Sequence, residues 1–276
     1  MKIIISGHSG FIGSYFIKNY SKKYSLLGFS FSNNKISDLN FESVDSVIHL
    51  SAIVHQKKSI SWESYRKINI DNTVKLAKEA KKNGVRQFVF MSTVKVYGEG
   101  GSKIYNEDSP CLPKNYYGKS KYIAEKKLQD LETENFKVAI IRTPLVYSRS
   151  SKGNLALLEL LIKYIKIIPL GKIPNKRSMV CIQNLCSMID IILMKDVRGT
   201  FLASDDYVMS TSELITSLAK LNKKKIFLFR SKFIQKFIHF FFSDMYEKIY
   251  GDFVVNNKKT KSNLGIKRQS AFEDCI

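Results

Sequence analysis

The sequence has no run of the ~18 uncharged apolar residues that a membrane-spanning helix requires. Its densest apolar stretch, Phe237 to Phe242, is short and flanked by Lys236 and Asp244. A spanning helix is therefore not expected, and the chain reads as soluble. Cysteine is scarce: Cys111, Cys181, Cys186 and Cys275 form no C-x-x-C pair and no metal-ligand spacing. No metal site is expected, and four bystander thiols in a reduced, cytoplasmic compartment are the economical reading. Met1 to Gly7 runs straight into a glycine pattern, so no cleavable leader is expected. Internal repeats, low-complexity tracts and flexible linkers are missing as well. Acidic residues are few, 24 against 45 Lys and Arg, for a formal net charge of +21. Such a balance attracts nucleic acid, anionic membrane or a phosphorylated substrate. The lysines are scattered, however, and make no compact basic motif interleaved with aromatics. Nucleic-acid binding is not expected, and compositional bias is the simpler account of the charge.

What is present is alternation. Lys2 to Ser6, Leu26 to Phe31, Ser46 to Leu50, Gln87 to Met91 and Val138 to Ile141 read as strands, being short, apolar and rich in β-branched residues. Phe11 to Tyr20, Tyr65 to Lys82 and Tyr116 to Leu131 read as helices between them. Parallel strands need such crossovers. The expected fold is α/β, a Rossmann-like doubly wound parallel sheet with a smaller C-terminal substrate lobe. The sheet domain should comprise 1–147 plus about 181–204, and the discontinuous lobe 148–180 plus 205–276. Between the second and third strands there is room only for a short loop around Asn33 to Glu42.

Directly after the first strand comes Gly7-His8-Ser9-Gly10-Phe11-Ile12-Gly13, a G-x-x-G-x-x-G spacing that opens a helix. Gly7 permits the tight turn, Gly10 lets backbone approach a pyrophosphate, and Gly13 allows helix and strand to pack closely. The pattern predicts a dinucleotide site with Gly7, Gly10, Phe11, Ile12 and Gly13 on the phosphates. An NAD site usually carries Asp or Glu at the end of the second strand, but this chain reads Phe29-Ser30-Phe31-Ser32-Asn33-Asn34-Lys35. Ser32, Asn33 and Lys35 are able to receive a 2′-phosphate, so NAD and NADP both stay open.

Tyr117-Gly118-Lys119-Ser120-Lys121 places a tyrosine and a lysine one helical turn apart on one face. A tyrosine of pKa about 10 is a poor base at neutral pH; an adjacent ammonium and an oxidised nicotinamide both favour its phenolate. Tyr117 would then exchange the proton of a substrate hydroxyl while hydride moves. Thr93 ends a strand at the same sheet edge, 24 residues upstream, in reach of the reacting oxygen.

Taken together these motifs resemble the extended short-chain dehydrogenase/reductases, the NAD-dependent epimerase/dehydratase family. Further likenesses are Asp38-Leu39 to its adenine-contacting pair, Val47-Ile48-His49-Leu50-Ser51-Ala52 to V-I-H-L-A-A, Asn69 with Thr73 to N-x-x-G-T, and Thr93 to Gly98 to S-x-x-V-Y-G. Arg142 to Tyr147 resembles R-P-x-x-V-Y-G, and Lys176 to Leu185 resembles R-D-Y-V-H-V-x-D-L. The resemblance implies cofactor contacts from Asp38, Leu39, Leu50, Ser51, Ala52, Asn69, Tyr117, Lys121 and Pro144. It implies Thr93, Tyr117 and Lys121 as the catalytic set, and Thr93, Lys95, Asn154 and Arg177 on a UDP-sugar, with Arg177 gripping the pyrophosphate. A homodimer through the helices near 65–82 and 116–131 is implied too. Lys152-Gly153-Asn154 and Asn175 to Ser178 look most like bacterial epimerases and 4-ketoreductases of UDP-N-acetylhexosamines used in surface polysaccharides. Ser51, Asn72 and Ser148 depart from the family pattern, which leaves the sugar open.

Family 4,6-dehydratases carry Asp-Glu right after the strand-end threonine, the acid/base pair for losing water. Here Val94 and Lys95 stand there, so dehydration is not expected. His49 reads as a core histidine, and His8 and His55 as pocket-lining at most. His239 lies in an aromatic stripe that reads first as packing, with a membrane-surface helix carrying Lys232, Lys236 and Lys248 as the sharper alternative. Trp62 reads as packing. Beside the enzyme stand two other readings: a cofactor-binding regulatory protein without turnover, and a binder of anionic surfaces.

Overall fold

The computed structural model describes residues 1–54, 60–101, 103–148 and 154–275, with backbone alone at 154–157 and 244. The chain runs β1 (Lys2–Ser6), α1 (Phe11–Tyr20), β2 (Ser25–Phe29), β3 (Ser46–His49), α2 (Trp62–Tyr65), α3 (Asn72–Lys82), β4 (Gln87–Thr93), β5 (Ile104–Tyr105) and α4 (Tyr116–Gln129). It continues through β6 (Lys137–Thr143), β7 (Leu145–Tyr147), α5 (Asn154–Tyr164), β8 (Ile167–Ile168), β9 (Arg177–Cys181), α6 (Ile182–Lys195) and β10 (Gly199–Leu202). Last come β11 (Val208–Met209), α7 (Thr211–Leu221), β12 (Phe227–Leu228), α8 (Lys232–Phe241), α9 (Ser243–Tyr250), β13 (Val254–Val255), α10 (Lys258–Leu264) and α11 (Phe272–Cys275).

Six strands form one sheet in the order β10-β6-β4-β3-β1-β2, every pair parallel. Both faces are covered, which is why Ile3, Ile4 and Ile5 are apolar without alternation. Phe16 and α6 pack on one face; Leu76, Ala77, Ala124 and Leu128 of α3 and α4 pack on the other. Strand order reverses between β1 and β3, so the crevice beyond their carboxyl ends is where this topology places ligands. The β2–β3 connection holds only a 3₁₀ turn at Ile36–Asp38, as the short interval required. The predicted helix 65–82 is one rod interrupted by a π-turn at Arg66–Asp71, an irregularity that hydrophobic spacing does not reveal.

The chain leaves the large sheet at Thr143, because β7 pairs with β9, and β9 with β11, in a separate sheet. At the far end Leu264 of α10 packs in the core with residues of α6. The cysteines are not all bystanders. Cys181, at the start of α6, is disulfide-bonded to Cys275, 94 residues on, while Cys111 and Cys186 are free. Spacing alone concealed the pair, since only the fold brings the C-terminal helix back to β9.

Candidate active site

At the end of β1 the chain turns at Gly7 with φ of +74°, where a Cβ would lie 2.7 Å from Ser51 N. A Cβ on Gly13 would run into the Gly7 carbonyl oxygen. Gly10 N donates to Gly7 O at 3.0 Å and closes the loop. α1 starts with Gly10 as N-cap, no side chain caps it, and its first turn holds no acid. The first N–H groups of the helix, at Phe11, Ile12 and Gly13, are thus kept for an anion, with the positive end of the helix behind them. This donor set fits a dinucleotide pyrophosphate.

Neighbouring strands shape the rest of that crevice. Leu50 N donates to Ser6 O at 3.0 Å, so the Leu50-Ser51-Ala52 segment follows the β1 turn. His49 is fully buried between Ser6 Oγ at 2.5 Å and Thr73 Oγ1 at 2.8 Å. Thr73 gives its own proton to Asn69 O at 2.8 Å, so His49 Nε2 donates to Thr73 and Nδ1 accepts from Ser6. Burial holds this imidazole neutral, well below its ordinary pKa. His8 packs on β2: its ring fills the space beside Gly28, and its Nδ1 lies 3.2 Å from Phe29 O.

Asn69, expected among the cofactor contacts, ties neighbouring segments together. Its side chain is fully buried; Oδ1 accepts from Ile53 N at 2.8 Å, and Nδ2 donates to Ile53 O and to Ser120 Oγ, each at 3.0 Å. Both of its Nδ2 hydrogens and its Oδ1 are engaged in tying the loop after β3 to α4. Asp38 is exposed, and its carboxylate accepts from Lys35 N at 2.9 Å and Ser37 Oγ at 3.1 Å, which lowers its pKa. Leu39 follows it half-buried, and Pro144 stands half-buried just after β6.

The chemistry assembles where β4 meets α4. Asn115 caps α4, its Oδ1 accepting from Gly118 N at 2.8 Å. Tyr117 is in the first turn, and its phenol is near enough to the Thr93 hydroxyl at the end of β4 for Thr93 to pull its pKa down. Lys121 follows one turn later, 1% exposed. Burial pushes the Tyr117 phenol up to about 12, against the pull of Thr93, and pushes the Lys121 ammonium down to about 7, against the pull of Glu125. In the protein alone desolvation drives both groups toward their neutral forms.

Below this pair lies a network that motif spacing missed. Glu125, fully buried and one further turn along α4, accepts from Ser92 Oγ and from Arg142, whose Nη2 lies 2.7 Å away. Arg142 Nη1 in turn donates to Tyr97 Oη at 2.9 Å. The available signal was Glu125 at i+4 from Lys121, on the same helix face as the catalytic pair.

On the opposite wall, Arg177 at the start of β9 donates from Nη1 to Glu247 O at 3.0 Å and Gly251 O at 2.8 Å, so it fastens the end of α9. Lys95 has a carboxylate partner after all: Glu99 Oε2 lies 2.6 Å from its Nζ, and Asn115 Nδ2 donates to the other oxygen of Glu99 at 2.6 Å. Asn154 opens α5, but its side chain, with His55, Lys152 and Gly153, lies outside the described residues. Among the described residues no cluster of His, Cys, Asp or Glu forms a metal site.

A doubly wound sheet with a glycine-turned anion cradle and a Thr-Tyr-Lys set on its carboxyl edge defines the class of dinucleotide-dependent short-chain oxidoreductases. Residues 3–208 match the NAD dependent epimerase/dehydratase family, and the chain belongs to it. It is 31% identical over 303 residues to UDP-glucose 4-epimerase of Vibrio cholerae, covering 99% of this chain and 92% of that one. It is 27% identical over 247 residues to N-acetyl-alpha-D-glucosaminyl-diphospho-ditrans,octacis-undecaprenol 4-epimerase of Escherichia coli O157:H7, covering 81% and 73%. Among solved structures, UDP-glucuronic acid 4-epimerase from Bacillus cereus in complex with NAD superposes with a TM-score of 0.79 at 19% identity, covering 100% of this chain and 96% of that one.

Proposed function

We propose that this protein carries out NAD- or NADP-dependent oxidoreduction at C4 of a UDP-linked hexose or N-acetylhexose, as a 4-epimerase or 4-ketoreductase serving surface polysaccharide synthesis. The observation that carries the reading is the meeting of Thr93, Tyr117 and Lys121 beside the glycine-turned cradle. The epimerase relatives that the chain matches along most of its length support it.

In this reading the N–H groups of Phe11, Ile12 and Gly13 would hold the cofactor pyrophosphate, and Lys121 would contact the bound cofactor. The nicotinamide, when bound, supplies the hydride acceptor or donor and, when oxidised, a positive charge. Tyr117 exchanges the proton of the C4 hydroxyl at its phenolic oxygen. Thr93 donates to or accepts from the same sugar oxygen and keeps it in line. Because burial favours the neutral phenol, Tyr117 rests protonated, and it loses that proton to a C4 ketone or takes one from a hydroxyl only when positive charge is near to stabilise its phenolate. Arg177 grips the substrate pyrophosphate. Val94 and the Glu99-paired Lys95 provide no acid/base pair for dehydration.

A homodimer through the outer faces of α3 and α4 is part of the proposal. Lysines there are interleaved with Asp71 and Glu79, and Trp62, Tyr65 and Tyr116 form an aromatic cluster beside them. The deciding experiment is the cofactor content and turnover of purified protein. Tightly held NAD+ with C4 inversion and no added reductant marks an epimerase; stoichiometric NADPH or NADH consumption by a 4-keto sugar nucleotide marks a reductase. Bound cofactor without turnover of any sugar nucleotide would leave a regulatory protein instead.

A further inference from the structure

The small lobe carries a helical hairpin, α8 and α9, with two apolar sides. Ile234 and Ile238 turn inward, and Ile238 is buried. Phe233, Phe237, Phe240 and Phe241, at i, i+4, i+7 and i+8, form a second stripe that faces outward. Phe233 is 79% exposed, Phe240 80% and Phe241 62%, and Phe242 extends the patch beyond the helix. The rings touch one another, with centroids 4.9 Å apart for Phe237 and Phe241 and 4.8 Å for Phe240 and Phe241. The neighbouring edge of β8 and β12 adds exposed Ile167 and Phe227. A monomer surface rarely leaves so many large apolar side chains in contact with water.

The charge around this patch is mostly positive, with Asp244 and Glu247 of α9 the acidic residues nearest to it in the sequence. Segments 160–172 and 220–243 contain ten Lys or Arg and no Asp or Glu. Lys232 and Lys236 lie along one flank of the phenylalanine stripe, at the i, i+4 spacing that keeps them together. A second copy of this chain docked here would bring like charge against like charge, which disfavours self-association at this face. An anionic bilayer meets both demands at once, because its headgroups pair with the ammonium groups while the rings enter the acyl boundary. Lysine stems reach past the rings to the headgroups.

We infer that the α8–α9 hairpin is a docking surface for an anionic lipid bilayer. It holds the enzyme on the membrane without crossing it, and no described helix is long and apolar enough to cross. The hairpin is fastened to the wall of the candidate site. Arg177 binds the carbonyls at the end of α9, and Asn175 Nδ2 donates to Ile249 O and Gly251 O, each at 3.1 Å. Docking therefore fixes the small lobe and its substrate wall with respect to the bilayer.

The test needs no substrate, so its outcome is separate from the reading of the catalytic edge. Full-length protein is sedimented at about 0.1 M salt with vesicles of phosphatidylcholine alone or with one part in three of phosphatidylglycerol. A Phe240→Trp variant reports ring insertion through its emission. The expected result is cosedimentation and a blue-shifted emission with the anionic vesicles only. Lys232→Glu with Lys236→Glu, and separately Phe233→Ser with Phe240→Ser, should each weaken vesicle binding at least about tenfold. These outward-facing changes should leave turnover of a free sugar nucleotide unaltered. Failure to bind anionic vesicles, full binding by the substituted proteins, or a rise in mass with protein concentration that buries the reporter without lipid would overturn the proposal.

Discussion

The ammonium of Lys121 lies 3.9 Å from the centroid of the Phe90 ring, one helical turn below Tyr117. An aromatic face attracts a cation, yet it replaces little of the hydration that burial removes. That imbalance is why Lys121 is pushed down to about 7.

The consequence for stability follows from linkage. Unfolded, this lysine keeps its proton up to about 10.4, whereas in the folded cofactor-free protein it gives it up from about 7. Between those values the unfolded chain binds more protons, so the Lys121 contribution to stability rises with pH across that window. Thermal unfolding of cofactor-free protein from pH 6.5 to 10 should show this rise, and Lys121→Met should flatten it. An equal slope in both proteins would show that Lys121 is not the group.

Tyr117→Phe removes only the phenolic proton carrier. Turnover should fall by about 10² to 10⁴ while cofactor affinity stays nearly unchanged. Retention of more than half of the wild-type rate would take Tyr117 out of the proton path.

Arg177 serves two demands, the α9 carbonyls it holds in this structure and the substrate diphosphate assigned to it. A contact made equally in ground and transition states acts on KM and not on kcat. Arg177→Ala should therefore raise KM about ten- to hundredfold, in line with about 1.5–3 kcal/mol for a charged hydrogen bond. A fall in melting temperature with KM unchanged would confine Arg177 to fastening the lobe.

Glu125→Ala leaves the Arg142 guanidinium buried without its carboxylate. Loss of one partner of a buried ion pair costs about 3–5 kcal/mol, and denaturant unfolding should show a loss of that size. Glu125→Gln, which keeps an acceptor for Ser92 and Arg142, should lose less. Equal stability of all three proteins would show the network to be idle.

The Cys181–Cys275 bridge closes a loop of 94 residues. Cross-links over such spans are worth roughly 2–5 kcal/mol. Thiol titration of the unfolded, unreduced protein should find two free thiols, and Cys275→Ser should lower the melting temperature under non-reducing conditions. Four titratable thiols would show that the bridge does not form in the protein as isolated.

Much of this was legible in the chain, and for local reasons. β1, the Gly7-to-Gly13 turn and α1 follow one another within twenty residues, so strand period, turn conformation and helix start are all written in adjacent side chains. The Tyr117–Lys121 pair is likewise set by the pitch of a single helix. What the chain could not show depends on contacts between distant segments. The anchoring of Asn69 on Ile53 and Ser120, the ion pair of Glu125 with Arg142, the return of Cys275 to Cys181 and the outward stripe of α8 arise only when separate elements pack. So do the shifted pKa values of Tyr117 and Lys121, because desolvation is a property of everything around a group and not of its neighbours in sequence.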